Sequence, residues 1–347
     1  MKRSILFLAV ACLVATGCSK KAQDQQTEPQ LIVSGEEWLD TDGNRINAHG
    51  GGILYKDSVY YWYGEYKGDS TYWNPKVPSW ECYRTEAGGV SCYSSKDLVN
   101  WKFEGVVLPS NQTDSTSELH FSHVLERPKV IYNEKTGKYV MWLHVDSHDY
   151  AKAAAGVAVS DSPTGEFTYL GSMRPQGQMS RDMTLFVDDD GTAYHVYSSE
   201  ENQTLYISKL TDDYLKPVEG AYTRNFIDQA REAPAVFKRG DKYYILSSGC
   251  TGWDPNVAQY AVADSMMGEW TVMGDPCTGP DAEKTFYGQS TNVVKVAGKD
   301  DAYIAMFDKW NKTDLINSRY IWLPIKFKDN NQIEIAWQDA WDVNTAF

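Results

Sequence analysis

Five times along this chain an apolar run with a polar residue at its head is followed by a tight turn and a second apolar run. The clearest case is Gln229-Ala230-Arg231-Glu232-Ala233-Pro234-Ala235-Val236-Phe237, a turn at Arg239-Gly240-Asp241, and then Lys242-Tyr243-Tyr244-Ile245-Leu246-Ser247-Ser248. Runs rich in Tyr, Val and Ile on either side of a Gly/Asp turn read as a β-hairpin. The other four hairpins pair 50–57 with 59–65, 125–132 with 138–144, 181–187 with 192–199, and 289–295 with 301–308. Each is followed by a second, more polar hairpin. Four strands per unit, repeating every 50 to 75 residues or so, is the spacing of propeller blades. The expected fold is therefore all-β, a five-bladed β-propeller over 31–347, with no domain linker and no appended binding module.

In such a ring the first strand of each blade lines the axis, so the polar heads converge. They are Asn47 and His49, Glu126, Asp182, Glu232 and Gln289, with Glu65 at the far end of the first hairpin. Several carboxylates around one pocket suit glycoside hydrolysis. One protonated carboxyl donates to the leaving oxygen, while a second group positions or deprotonates water, or attacks directly. Glu232 adjoins Arg231, but neighbours on a strand face opposite ways, so Glu232 is expected in the pocket rather than in a salt bridge with Arg231. Thr251 and Trp253 sit in a Gly/Asp/Pro-rich loop and are candidates for sugar contact, Trp253 as a stacking platform. Tyr287 and Trp310 are further substrate-binding candidates beside His49, Glu65 and Glu126, and Trp73 and Trp80 are weaker ones. Insertions at 67–86 and 109–122 are expected to rim the pocket as loops.

Aromatic residues make up 13% of the chain, with 23 Tyr and 12 Trp, and the formal net charge is −14. That charge argues against nucleic acid or an anionic membrane surface as partner. His49, His144 and His195 could ligate a metal on the axis, although core histidines with satisfied partners are the commoner arrangement. Asp188-Asp189-Asp190-Gly191 resembles part of a calcium loop but lacks the downstream glutamate, and a hairpin turn explains it better. No zinc motif or phosphate loop is visible. The expectation is no metal and no required cofactor, with calcium possible but unsupported.

The N-terminus reads as a targeting segment. Met1-Lys2-Arg3 is basic, 5–15 is apolar but too short to span a bilayer, and Ala15-Thr16-Gly17-Cys18 looks like a lipoprotein cleavage box. The expectation is a signal peptide over 1–17, lipidation at Cys18, a polar tether over 18–30, and a monomer anchored in the outer membrane of a bacterial envelope. Of the remaining cysteines, Cys82, Cys92, Cys250 and Cys277, the local pair Cys82–Cys92 is a candidate disulfide. Buried free thiols are the alternative.

Arg181-Asp182-Met183 and Arg231-Glu232-Ala233-Pro234, set in five hairpin units, resemble glycoside hydrolase family 43, a family of five-bladed propellers with inverting chemistry. The resemblance covers essentially the whole mature chain. His49-Gly50-Gly51-Gly52, Trp62-Tyr63-Gly64-Glu65, 251–256 and Gly288-Gln289-Ser290-Thr291 are similar to its exo-β-1,3-galactanase subgroup. The resemblance implies that Glu232 is the general acid and that Asp182 raises its pKa and orients it. By the same likeness Glu65 and Glu126 bind sugar, and Gln289 lies near the attacking water. The implied partner is β-1,3-galactan, the arabinogalactan backbone. α-L-Arabinofuranosidase, β-galactofuranosidase and a catalytically inactive surface glycan-binding lipoprotein are the alternatives. The family at large places an aspartate base at the head of the first blade. Here the segment is Arg45-Ile46-Asn47-Ala48-His49-Gly50, without a carboxylate, an absence the galactanase subgroup shares.

Overall fold

The computed structural model describes residues 31–347. The signal peptide, Cys18 and the tether expected from the sequence lie outside the described residues.

The described chain forms five antiparallel sheets in sequence order around an axis. Blade 1 runs through His49–Lys56, Val59–Trp73, Tyr83–Ser95 and Lys102–Pro109, and blade 2 through Val124–Asn133, Lys138–Asp146, Ala154–Ser160 and Thr168–Met173. Blade 3 comprises Met183–Val187, Ala193–Ser199, Thr204–Leu210 and Pro217–Asn225. Blade 4 comprises Arg231–Arg239, Lys242–Gly249, Gln259–Ala263 and Thr271–Gly274. Blade 5 is Gln289–Lys295, Tyr303–Lys309, Arg319–Phe327 and Ile333–Ala336, and Cys277–Thr278 adds a parallel fifth strand at its outer edge. The first strand of each blade packs against the first strands of its two neighbours, so the ring closes. The architecture is the expected five-bladed β-propeller.

Hydrophobicity follows from the distance to the axis. The second strand of each blade is sandwiched between neighbouring blades, and Tyr139 through Asp146 are all buried. Fourth strands such as Pro217–Asn225 meet solvent and carry polar residues, which is why the second hairpin of each unit is the more polar one in sequence. The core divides into clusters at the seams between blades. Between blades 5 and 1, Trp62 meets Trp101 at 5.3 Å and Trp322 at 4.8 Å between ring centroids. At that seam Leu31–Val33 pairs antiparallel with Ala340–Asp342, so the two ends of the described chain tie to each other.

Two expectations are corrected. The insertion at 67–86 is not simply a loop. The second strand of blade 1 continues to Trp73 and the third begins at Tyr83, so a long hairpin rises above the blade. Cys82 and Cys92 are not bridged. All four described cysteines are free thiols, with Cys250 exposed. Cys92 lies in the core between blades 1 and 2, and Cys82 precedes the same strand, about 30 Å away at the usual rise per residue. The Asp188–Gly191 segment is the hairpin turn of blade 3, with the Gly191 N–H donating to the Asp188 carbonyl at 2.9 Å.

Candidate active site

The heads of the inner strands do not follow a regular ladder. Register shifts fall between His49 and Gly52, Glu126 and Lys129, Glu232 and Ala235, and Ser290 and Asn292. Gly50, Arg127 and Ala233 have left-handed φ of 58°, 53° and 50°. Bulges of this kind re-aim a side chain at the cost of ladder bonds. They turn the heads inward onto a cavity of about 810 Å³.

Glu232, Asp182, Gln289, Glu126, Glu65, Trp253, Thr251 and Trp310 all line this cavity. His49 and Tyr287 do not. His49 is fully buried one layer behind, with Nδ1 3.2 Å from Asp308 Oδ1 and its ring stacked on Tyr320 at 4.7 Å. Tyr287 is 40% exposed outside the cavity, and its hydroxyl donates to Asp281. Thr251 reaches the wall, but its hydroxyl donates to the Asp254 carbonyl at 2.6 Å and accepts from Asn256.

Arg127 holds the carboxylates together. It is 5% exposed. Its Nε and a terminal nitrogen bond both Asp182 oxygens at 3.1 and 2.9 Å. Its other contacts are to Gln289 Oε1 at 2.6 Å and the Ser290 carbonyl, and its backbone N–H donates to Glu65 Oε1. Four blades thus meet at one residue, three of them (2, 3 and 5) at its guanidinium, whose planar fork suits two-pronged bonding to a carboxylate. Arg127 is not among the residues that the sequence pattern singles out, since strict alternation would put it on the face opposite Glu126. Tyr150, Asn202 and Cys250 were also missed. They lie in turns and loops that carry no periodic signal.

Glu232 accepts from Asn202 Nδ2 at 2.7 Å and from the Cys250 thiol at 3.2 Å, both at Oε1. Burial first, then the neighbouring Asp182 charge, pushes its pKa up to about 8. Asp182 also accepts from the backbone N–H of Ala233 at 3.1 Å, fixing it beside Glu232. Arg231 faces away, bonding Ser247 through its guanidinium. Glu126 shows the opposite electrostatics. Burial would raise it, but the bonded His144 and the charges of His144, Lys67 and Arg84 pull it down to about 2. Its Oε1 accepts from the Tyr150 hydroxyl at 2.9 Å, and Oε2 lies 3.3 Å from His144 Nδ1.

Gln289 Oε1 accepts from Arg127 at 2.6 Å and from Trp310 Nε1 at 2.8 Å, and Nε2 donates to Ser248 at 3.0 Å. Two donors on one end identify that end as the oxygen. Trp253 donates from Nε1 to the Tyr83 carbonyl at 2.8 Å and meets Trp310 at 5.0 Å.

Glu126, His144 and Asp182 bring ligand atoms within 4.8 Å of one another. Those atoms are already committed. Asp182 is paired with Arg127, and His144 lies between Glu126 and Asp146, its pKa raised to about 9 by those two carboxylates against the lowering effect of burial. A metal here would have to displace a guanidinium and deprotonate an imidazolium.

A half-buried acid held protonated beside a second carboxylate, in a cavity with indole walls, is the equipment for cleaving a glycosidic bond. The model of the family described as glycosyl hydrolases family 43 matches residues 52–330. The chain belongs to glycoside hydrolase family 43. It is an enzyme of the glycosidase class, and the sequence resemblance to the family is borne out. Among solved structures it is similar to a family 43 β-1,3-galactosidase bound to galactodeoxynojirimycin, with 44% identity and a TM-score of 0.83 over 90% of this chain and 100% of that one. It is also similar to an exo-β-1,3-galactanase from Phanerochaete chrysosporium in complex with β-1,3-galactotriose, with 36% identity, TM-score 0.79, 90% of this chain and 68% of that one. An exo-β-1,3-galactanase from Clostridium thermocellum is 38% identical, with TM-score 0.79 over 90% and 67%. No curated protein matches the chain.

Proposed function

We propose that this family 43 glycosidase is an inverting, exo-acting hydrolase that releases galactose from β-1,3-galactan. The observation that carries the reading is Glu232, held protonated near neutral pH by burial and by Asp182. Its Oε1 is occupied by Asn202 and Cys250, which leaves Oε2 to bear the proton and pass it to the departing oxygen. Asp182, Glu126 and Glu65 surround the anomeric centre with negative charge as oxocarbenium character develops. The 36–44% identity to β-1,3-galactosidase and galactanase structures supports galactan as substrate.

Gln289 positions the attacking water through its remaining amide hydrogen. Both lone pairs of its oxygen are taken by Arg127 and Trp310. The imidic tautomer would set an O–H against two donors, so the amide form is the one this site favours. Positioning suffices while the transition state carries oxocarbenium character, because the water proton can pass to solvent water after the C–O bond has formed.

The test is incubation with β-1,3-galactan and, separately, arabinan, with products followed by NMR. Galactose appearing first as the α-anomer, from galactan alone, is expected. Glu232→Gln is expected to cost about 10²- to 10⁴-fold in kcat while galactan binding persists. The basic limb of kcat/KM should fall near pH 8, and Asp182→Asn should move that limb to lower pH by removing the charge that raises Glu232. Hydrolysis by Glu232→Gln at the wild-type rate rules the assignment out.

A further inference from the structure

The cavity wall is asymmetric. Four rings from four blades form a continuous run along it. Tyr150 of blade 2 meets Trp80 at 6.0 Å, Trp80 meets Trp253 of blade 4 at 6.3 Å, and Trp253 meets Trp310 of blade 5 at 5.0 Å. Trp80 is carried by the long hairpin of blade 1, which arches over the mouth. On the blade 3 side the wall is Met179, Arg181, Glu201 and Asn202, with no ring among them, and the Glu201 side chain is 70% exposed. Glu232, through Asn202, sits against this open polar side. The arch is clasped shut. Lys312 of blade 5 bonds Glu81 at 2.5 Å and Asp254 of blade 4 at 2.9 Å. Trp80 also rests on Gly252, where a Cβ would lie 2.8 Å from the indole.

From this asymmetry we infer that Trp80 is a specificity-determining residue that closes the pocket behind the terminal sugar, so that the polymer leaves over the Glu201–Asn202 turn, between the second and third strands of blade 3. The inference rests on the galactan reading above and adds the direction of the chain and the residue that imposes it. An internal residue of a 1,3-linked chain carries a further sugar on O3, away from the anomeric carbon, which must face Glu232 and the open side. The ring wall then occupies the space that this further sugar needs, and excluding the unwanted chain by a built-in clash is an economical route to selectivity. Lys312 with its two carboxylates and the Trp253 bond to Tyr83 act through Trp80 as positioning groups, since they hold the arch that carries it.

The test compares reducing-end-labelled β-1,3-galactotriose with the same trimer carrying a 3-O-benzyl cap on its non-reducing residue. Wild type, Trp80→Ala and Trp80→Phe are assayed on both. Wild type should prefer the free trimer by about 10²-fold or more, and Trp80→Ala should narrow that ratio about tenfold, whatever the change in its rate on the free trimer. Trp80→Phe should stay near wild type. An unchanged ratio in Trp80→Ala overturns the inference; where turnover of the free trimer is too slow to give a ratio, an unchanged ratio of the Kd values of the two trimers does so. Ready cleavage of the capped trimer by wild type also overturns it. Failure of wild type on the free trimer would instead remove the galactan reading on which it stands.

Discussion

Glu126 and Glu232 occupy equivalent strand heads, both facing the cavity, yet one is held ionised and the other protonated. The largest difference is one neighbour each, to which Lys67 and Arg84 add on the Glu126 side. Asp182 adds negative charge beside Glu232, while Glu126 lies directly across the strand pair from His144. That the heads carry carboxylates was legible in the sequence. Their opposite electrostatics were not, because His144 reads as a core histidine until the register is known. His144 is 1% exposed and bonds Asp146 Oδ2 at 2.9 Å. Its folded pKa of about 9 lies above the ordinary histidine value of 6.5, so its contribution to stability is complete below pH 6.5 and is lost as pH rises through 9. The Glu126 contribution is complete above the ordinary glutamate value of 4.5 and lost as pH falls towards about 2. His144→Gln should therefore destabilise most between pH 4.5 and 6.5, by on the order of 3 kcal/mol for a broken buried pair. The deficit should shrink towards pH 9 and above. Urea unfolding of both proteins at pH 5.5, 7.5 and 9.5 checks this, and a deficit that does not vary with pH contradicts it.

At the level of the strand, strict alternation explains Arg231 and Glu232, which face opposite sides, and misplaces Arg127, which shares the interior with Glu126. The bulge makes the difference. Non-glycine residues with left-handed φ, as at Arg127 and Ala233, cost about 1–3 kcal/mol each and persist where the surrounding structure over-determines them. Leu125-Glu126-Arg127-Pro128 hints at a bulge only through Pro128, which has no N–H for the ladder, and the left-handed φ at Arg127 is not announced. In blade 1 the equivalent position is Gly50, where the sequence does give a hint. Its φ is 58°, and a Cβ there would lie 2.1 Å from Glu65 Oε1. Its N–H donates to Asp308 Oδ2 at 3.0 Å, so the backbone has little freedom to retreat. Gly50→Ala should displace Glu65 from the Arg127 N–H and cost about 10²-fold in kcat/KM, the scale expected of a misplacement near 1 Å. Stability should fall as well, by about 1–3 kcal/mol. Kinetics on galactan with parallel urea unfolding reads both, and wild-type kinetics in the variant would mean that the bulge does not position Glu65.

For the molecule as a whole, five hairpin units and their spacing were enough to expect a ring, because each unit has two faces to bury and only closure supplies both. The means of closure could not be read from hairpins, since it depends on two three-residue strands at opposite ends of the described chain and on indoles scattered between them. Trp322 is central to that seam, buried to 1% exposure and in contact with Trp38, Trp62 and Trp101. Closure also governs chemistry. Arg127 belongs to blade 2 but bonds groups from blades 1, 3 and 5, so the site is assembled only when the seam between blades 5 and 1 is shut. Trp322→Ala should cost about 3–5 kcal/mol, as large-to-small changes at buried aromatics do. An open row of repeats would lose that stability locally and could keep its remaining blades folded. A closed ring whose central arginine spans the seam should instead lose structure and activity together. In Trp322→Ala, urea midpoints followed by tryptophan fluorescence and by residual galactan hydrolysis should coincide and both lie below the wild-type value. Two separated transitions, with hydrolysis surviving the first, would show that the blades fold independently and that closure is not what assembles the site.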